Sequence, residues 1–102
     1  MKRRRVRFME KASDDIAELL AQLASAAGLR IAAGYVDRLA SFCERLDLAP
    51  ERGHRRDDIS SGLWTIGFER RVTIAFSVET DEVLIHRIFY GGRDWKAELS
   101  DE

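Results

Sequence analysis

Two histidines, one cysteine and an arginine that follows a pair of glycines are the side chains of this 102-residue chain best suited to chemistry. His54 stands in the charged stretch RGHRRDD and His86 in the apolar run VLIHRI. A metal centre needs three or four converging ligands, and the chain has no HxH, HExxH or CxxC spacing to supply them. No metal is expected, and His86 reads as a half-buried strand residue with a hydrogen-bond partner. Cys43 lies on an apolar helical stripe with no histidine near it in sequence, and reads as a small core residue. Neither GxGxxG nor GxxxxGK[ST] is present, so no cofactor is expected. That leaves FYGGRDW, residues 89–95. An arginine and a tryptophan presented after two glycines can form a catalytic tip, a binding tip or only a turn.

The elements that must position these residues belong to one folded domain, 1–102. With 45% hydrophobic and 34% charged residues and a single proline, the composition is that of a globular protein of modest core. A net charge of −1 gives no global field for nucleic acid. The basic residues are fourteen arginines and three lysines, with Lys2, Arg3, Arg4, Arg5 and Arg7 crowded at the start. The arginine fork suits bidentate pairing with carboxylate or phosphate. One cysteine allows no internal disulfide and fits a reducing cytoplasm. No apolar run approaches the ~18–20 residues that span a bilayer, and MKRRRVRF has no apolar stretch behind it, so neither a membrane span nor a signal peptide is expected.

Alternation of Val6 and Phe8 with Arg5 and Arg7 predicts a short strand over 3–8. Ile16, Leu19, Leu20 and Leu23 recur at helical spacing, which predicts a helix over 10–27 ending at Gly28. Val36, Leu39, Phe42, Cys43 and Leu46 predict a second helix over 29–46, folded back on the first as an antiparallel hairpin. Residues 47–61 read as a charged loop, its turn fixed by Asp57 and Asp58. Three strands follow: one through Trp64, Ile66 and Phe68, one through Val72, Ile74, Phe76 and Val78, and a more continuously apolar, central one over 83–90. Tight turns at 69–71 and 79–82 join them. The order β-α-α-β-β-β predicts a two-layer α+β fold, with the helix hairpin packed on one face of a mainly antiparallel sheet.

That order resembles the RelE/ParE superfamily of type II toxin–antitoxin toxins, and ParE-type toxins within it. The resemblance is carried by ASDDIAELLAQLASAAG, AAGYVDRLASFCERLDLAPERGHRRDDI, GLWTIGFERRVTIAFSVETDEVLIHRI and GGRDW, which together cover nearly the whole chain. It implies a non-catalytic, cytoplasmic poison, of the kind associated with plasmid stabilisation and growth inhibition, that binds DNA gyrase and blocks replication. It also implies a cognate antitoxin whose C-terminal segment wraps the toxin in a hetero-oligomer and whose N-terminal domain meets operator DNA, so that the toxin reaches DNA only indirectly.

The runner-up is a RelE-like, ribosome-dependent mRNA endoribonuclease. That chemistry deprotonates a 2′-OH, protonates the leaving oxygen and stabilises the phosphorane charge. Where such nucleases carry lysines and a first arginine, this chain has Thr65, Gly67 and Thr73; Arg93 alone matches, and no tyrosine follows it. One cation without an acid or base partner leaves no catalytic residue to name. A third reading is a non-toxic co-repressor that only binds antitoxin. The expected target contacts are Arg93 and Trp95, with Gly91, Gly92 and Asp94 closing the fold beneath them, and Arg55 and Arg56 as either contacts or solvated residues. The expected antitoxin contacts are Tyr35, Leu39, Phe42 and Leu46, each also a candidate for plain core.

Overall fold

The computed structural model describes residues 3–91 and 95–100. The chain starts at one margin of the sheet as β1, Arg5–Phe8, and crosses one face through α1, Glu10–Ala27, and α2, Leu29–Glu44. It descends at the far margin as the two-residue β2, His54–Arg55. It then meanders back through β3, Leu63–Phe68, β4, Val72–Val78, and β5, Glu82–Tyr90, so that β5 lands beside β1. The sheet order is β1-β5-β4-β3-β2, antiparallel except for the β1–β5 pair. A third helix, α3, Trp95–Ser100, follows.

Period-2 alternation sorts the strands into two faces. Ile66, Phe68, Val72, Ile74, Phe76, Val83, Ile85 and Ile88 meet Ala12, Leu19, Leu39, Cys43 and Leu46 of the helical layer in the main core. Leu63, Ala75 and Phe89 point the other way, into a smaller cluster with Leu99, Ile59 and Trp95. The α+β class, the helix hairpin and the mainly antiparallel sheet are as expected. The two-layer arrangement is also as expected, and α3 with Ile59 adds cover to part of the second face.

Two boundaries also move. Leu46 lies beyond α2, in a 3₁₀ turn, Arg45–Asp47, and is turned inward. The helix stops where Asp47 is tied to the residues just ahead of β1: its carbonyl accepts from the Arg4 N–H at 3.0 Å and its carboxylate meets Arg3 Nε at 2.7 Å. The expected loop over 47–61 holds a second 3₁₀ turn, Pro50–Arg52, and β2, which pairs His54 with Thr65 and Arg55 with Trp64.

β5 departs from clean alternation. Ala75 pairs with Arg87 and Phe76 with Ile85, which leaves His86 as the extra residue of a bulge. His86 turns to the second face, where its Nε2 lies 2.7 Å from Ser77 Oγ. Arg87 is re-aimed along the margin of β5. There β1 has ended, its last pair being Phe8 with Ile85. Asp15 of α1 takes over: its carboxylate accepts from Arg87 Nε at 2.8 Å, from Arg87 Nη2 at 3.2 Å and from the Ile88 N–H at 2.9 Å. Glu98 of α3 lies 3.6 Å from the same guanidinium. One half-buried arginine thus joins α1 and α3 to the sheet.

The β3–β4 turn is strained. Glu69 has φ 49° and Arg70 φ 62°. A tight hairpin turn with both central residues left-handed is normally filled by Asn-Gly, and side chains with a Cβ cost roughly 1–2 kcal/mol each there.

Candidate functional site

Arg55 and Arg56 diverge from β2. Arg55 lies over the Trp64 ring at 5.7 Å and pairs with Asp57 at 3.0 Å. Arg56 forks onto Asp58, at 3.1 and 3.0 Å, and lies 5.2 Å from the Trp95 ring centroid. That hydrogen bond raises the Arg56 pKa and lowers that of Asp58. Trp64 belongs to the main core and Trp95 to the second cluster, so the two arginines face opposite sides of the sheet. Of the expected target contacts, the structure therefore brings Arg56 and Trp95 together and separates Arg55 from them. Trp95 is half-buried against the second cluster. Asp57 does fix the turn, accepting from the Gly62 N–H at 2.8 Å. Arg93, Gly92 and Asp94 lie outside the described residues. Gly91 has φ 75° and donates its N–H to the Arg71 carbonyl at 2.8 Å, so it ends the strand as a left-handed residue.

Among the expected antitoxin contacts, Leu39 and Leu46 are corrected. They are 0% and 1% exposed and present no surface, because their stripe faces the sheet. Tyr35 and Phe42 are half-buried and remain available. Tyr35 packs edge-on against Phe68 and Tyr90, and its buried hydroxyl has no hydrogen-bond partner among the described residues. Burial pushes this phenol up, with Glu69 adding to the shift and Arg38 opposing it. Phe42 meets Phe68 at 5.1 Å, and the guanidiniums of Arg45 and Arg52 each stand 5.9 Å from its centroid. Neither arginine has a carboxylate partner among the described residues.

Beside Phe42 runs a groove of about 420 Å³ between α2 and the end of β3, lined by Asp37, Arg38, Ser41, Arg45, Phe68 and Glu69. Arg38 spans it, with Nε 3.1 Å and Nη2 3.3 Å from the Glu69 carboxylate. Sequence reading passed over Asp37, Arg38, Ser41 and Glu69, because polar positions on the outer side of an amphipathic helix read as solvated. Arg45 and Arg52 carried no spacing signal either.

At the positions where a nuclease of the resembled superfamily would carry cations, Gly67 pairs with Thr73 and Thr65 with Ala75. Thr65 is buried, at 5% exposed. The described residues contain no cluster of three potential metal ligands and no helix long and apolar enough to cross a membrane.

A model of the ParE toxin of the type II toxin–antitoxin system parDE matches residues 6–95. The chain belongs to the ParE toxin family. Its fold is shared with a chain of the chromosomal ParDE TA system from P. aeruginosa, at a TM-score of 0.76 and 21% identity over 86% of this chain and 96% of that one. A chain of the RelBE2 toxin–antitoxin complex from Mycobacterium tuberculosis also superposes, at a TM-score of 0.62 and 17% identity over 86% and 98%. No curated protein matches the sequence. The match to the ParE toxin family spans the basic loop, the α2 groove and Trp95 alike.

Cys43 gives this family member a pH signature. Burial pushes its thiol up from 9.0 to about 12, with Glu44 adding to the shift. The folded chain therefore holds the proton more tightly than the unfolded chain. The stability this contributes is whole below about pH 9 and is lost as pH rises toward about 12. Urea titrations of the wild type and Cys43→Ala should show the wild type losing stability more steeply across that window. A native Cys43 that reacts freely with a thiol reagent at neutral pH would contradict the assignment.

Proposed function

We propose that this chain is a toxin that inhibits DNA gyrase by binding it, without catalysis of its own, and is neutralised in the cytoplasm by a cognate antitoxin. The match to the ParE toxin family over residues 6–95 carries the reading. Thr65, Gly67 and Thr73 support it on the chemical side: none of them is charged or can serve as general acid or base at neutral pH.

The antitoxin's expected path is the α2 groove. Phe42 and Tyr35 offer apolar rings, and the two arginines beside Phe42 offer forks for carboxylates on the incoming segment. Leu39 and Leu46 support that surface from beneath. Arg56 with Trp95, and Arg55 on the other face, remain the target contacts we propose, joined by Arg93 on sequence grounds. Any contact with operator DNA passes through the antitoxin, within a hetero-oligomer.

Inducing the chain and mapping translated mRNA by primer extension separates this reading from the nuclease alternative. Growth should stop with no new 5′ ends in ribosomal A sites. Cuts there that vanish with Arg93→Ala would establish the ribonuclease instead. Co-expressing the small open reading frame beside this one should restore growth and copurify with the chain. Harmless induction of a folded chain would leave only the co-repressor role.

A further inference from the structure

We propose that the β3–β4 turn, Glu69-Arg70-Arg71, is a second contact tip, built to meet an acidic protein surface. The inference rests on the toxin reading, since a target must exist for the tip to touch. Three observations carry it.

The first is the strain. Both central residues of the turn are left-handed, at φ 49° and 62°, and neither is glycine, asparagine or aspartate. A strained backbone persists where its surroundings over-determine it. Here they do. The Arg38 fork holds Glu69 from α2 at 3.1 and 3.3 Å. The Arg71 N–H donates to the Phe68 carbonyl at 3.2 Å, and the Arg71 carbonyl accepts from the Gly91 N–H at 2.8 Å.

The second is what the strain presents. Arg70 and Arg71 are exposed, and neither has a carboxylate partner among the described residues. Arg3, Arg7, Arg38, Arg55, Arg56 and Arg87, by contrast, are all ion-paired. Arg70 and Arg71 directly follow Glu69 in the chain, and the Glu69 carboxylate is already held by Arg38. The turn is therefore locally cationic with its donors unspent.

The third is the charge of the whole. At net −1 the chain has no long-range field to draw it to nucleic acid. A small cationic tip on such a chain suits short-range pairing with carboxylates on a protein. Arg70 and Arg71 are the contact residues, and Arg38 with Glu69 are positioning residues.

The test compares the full chain with the Arg70→Ala/Arg71→Ala double variant. Growth arrest on induction and affinity for the neighbouring antitoxin are both measured. The double variant should need about ten- to a hundredfold more expression to arrest growth, the loss expected of contact residues. Its thermal midpoint and antitoxin affinity should be unchanged. Arg70→Gly guards against misfolding: it relieves the left-handed strain, so its midpoint should match or exceed the wild type while toxicity falls. A double variant as toxic as the wild type would overturn the inference and leave the toxin reading standing. A folded wild-type chain that never arrests growth would end both. If the wild type binds a short labelled DNA duplex and the double variant does not, the acidic-protein assignment falls.

Discussion

Asp15→Ala should lower the unfolding free energy by about 1–3 kcal/mol, the cost of leaving part-buried donors without their acceptor. The Arg87 side chain is 12% exposed and that of Asp15 8%. Deleting the carboxylate leaves a guanidinium inside the protein and strands the Ile88 N–H, which has donated to Asp15 at 2.9 Å. Glu98, 3.6 Å from Arg87 and more exposed, recovers only part of this. A small domain has about 5–15 kcal/mol to lose, so the variant should stay folded with a measurably smaller margin. Urea titration measures the shift. Asp15→Asn, which keeps an acceptor for Ile88 but gives up the charge, should fall between. Asp58→Ala, which breaks an exposed pair with Arg56, should leave the midpoint where it was. A loss below about 1 kcal/mol for Asp15→Ala, the scale of exposed pairs, would mean that the clasp does not join the layers.

Gly53→Ala should cost about 1–3 kcal/mol by overpacking, and it should also displace the basic loop. An added Cβ would lie 2.8 Å from the Thr65 carbonyl and 2.9 Å from Cζ of Phe76. Neither neighbour can yield cheaply: the carbonyl belongs to β3, and Phe76 is 0% exposed. The chain at Gly53 must back away, and β2 begins at the next residue. His54 and Arg55 would lose their register on Thr65 and Trp64, and Arg56 its seat over Trp95. Thermal melting reads the cost. Tryptophan fluorescence reads the loop, since Trp64 and Trp95 each lie under one of its arginines. A melt and emission spectrum identical to the wild type would show that β2 tolerates the methyl group and does not set the arginines.

These two positions also mark where sequence ceases to foretell structure. The helix hairpin was legible because Ile16, Leu19 and Leu23, then Leu39, Phe42 and Cys43, repeat at helical spacing on either side of Gly28. β3 and β4 were legible because their alternation is nearly unbroken, and β5 because its run is continuously apolar. β2 was not, since two residues cannot display a period, and its partners lie nine and eleven residues on. α3 spans six residues, too few for a stripe. The bulge at His86 was invisible because a continuously apolar run has no alternation for one inserted residue to break. The Asp15–Arg87 clasp joins residues 72 apart, and nothing local in either helix or strand marks them as partners. At the candidate site, Tyr35 and Phe42 stayed at the surface while Leu39 and Leu46 went inside. A stripe of apolar residues names a helix face but does not say how far around that face the sheet reaches.

Purified DNA gyrase, relaxed plasmid and ATP test the central claim most directly. The account predicts that the chain inhibits supercoiling and leaves cleaved plasmid trapped on gyrase. The chain should do this without cutting DNA when gyrase is omitted, and the antitoxin encoded beside it should restore supercoiling. Unchanged supercoiling with no cleaved plasmid, at a large molar excess of folded chain, would contradict it.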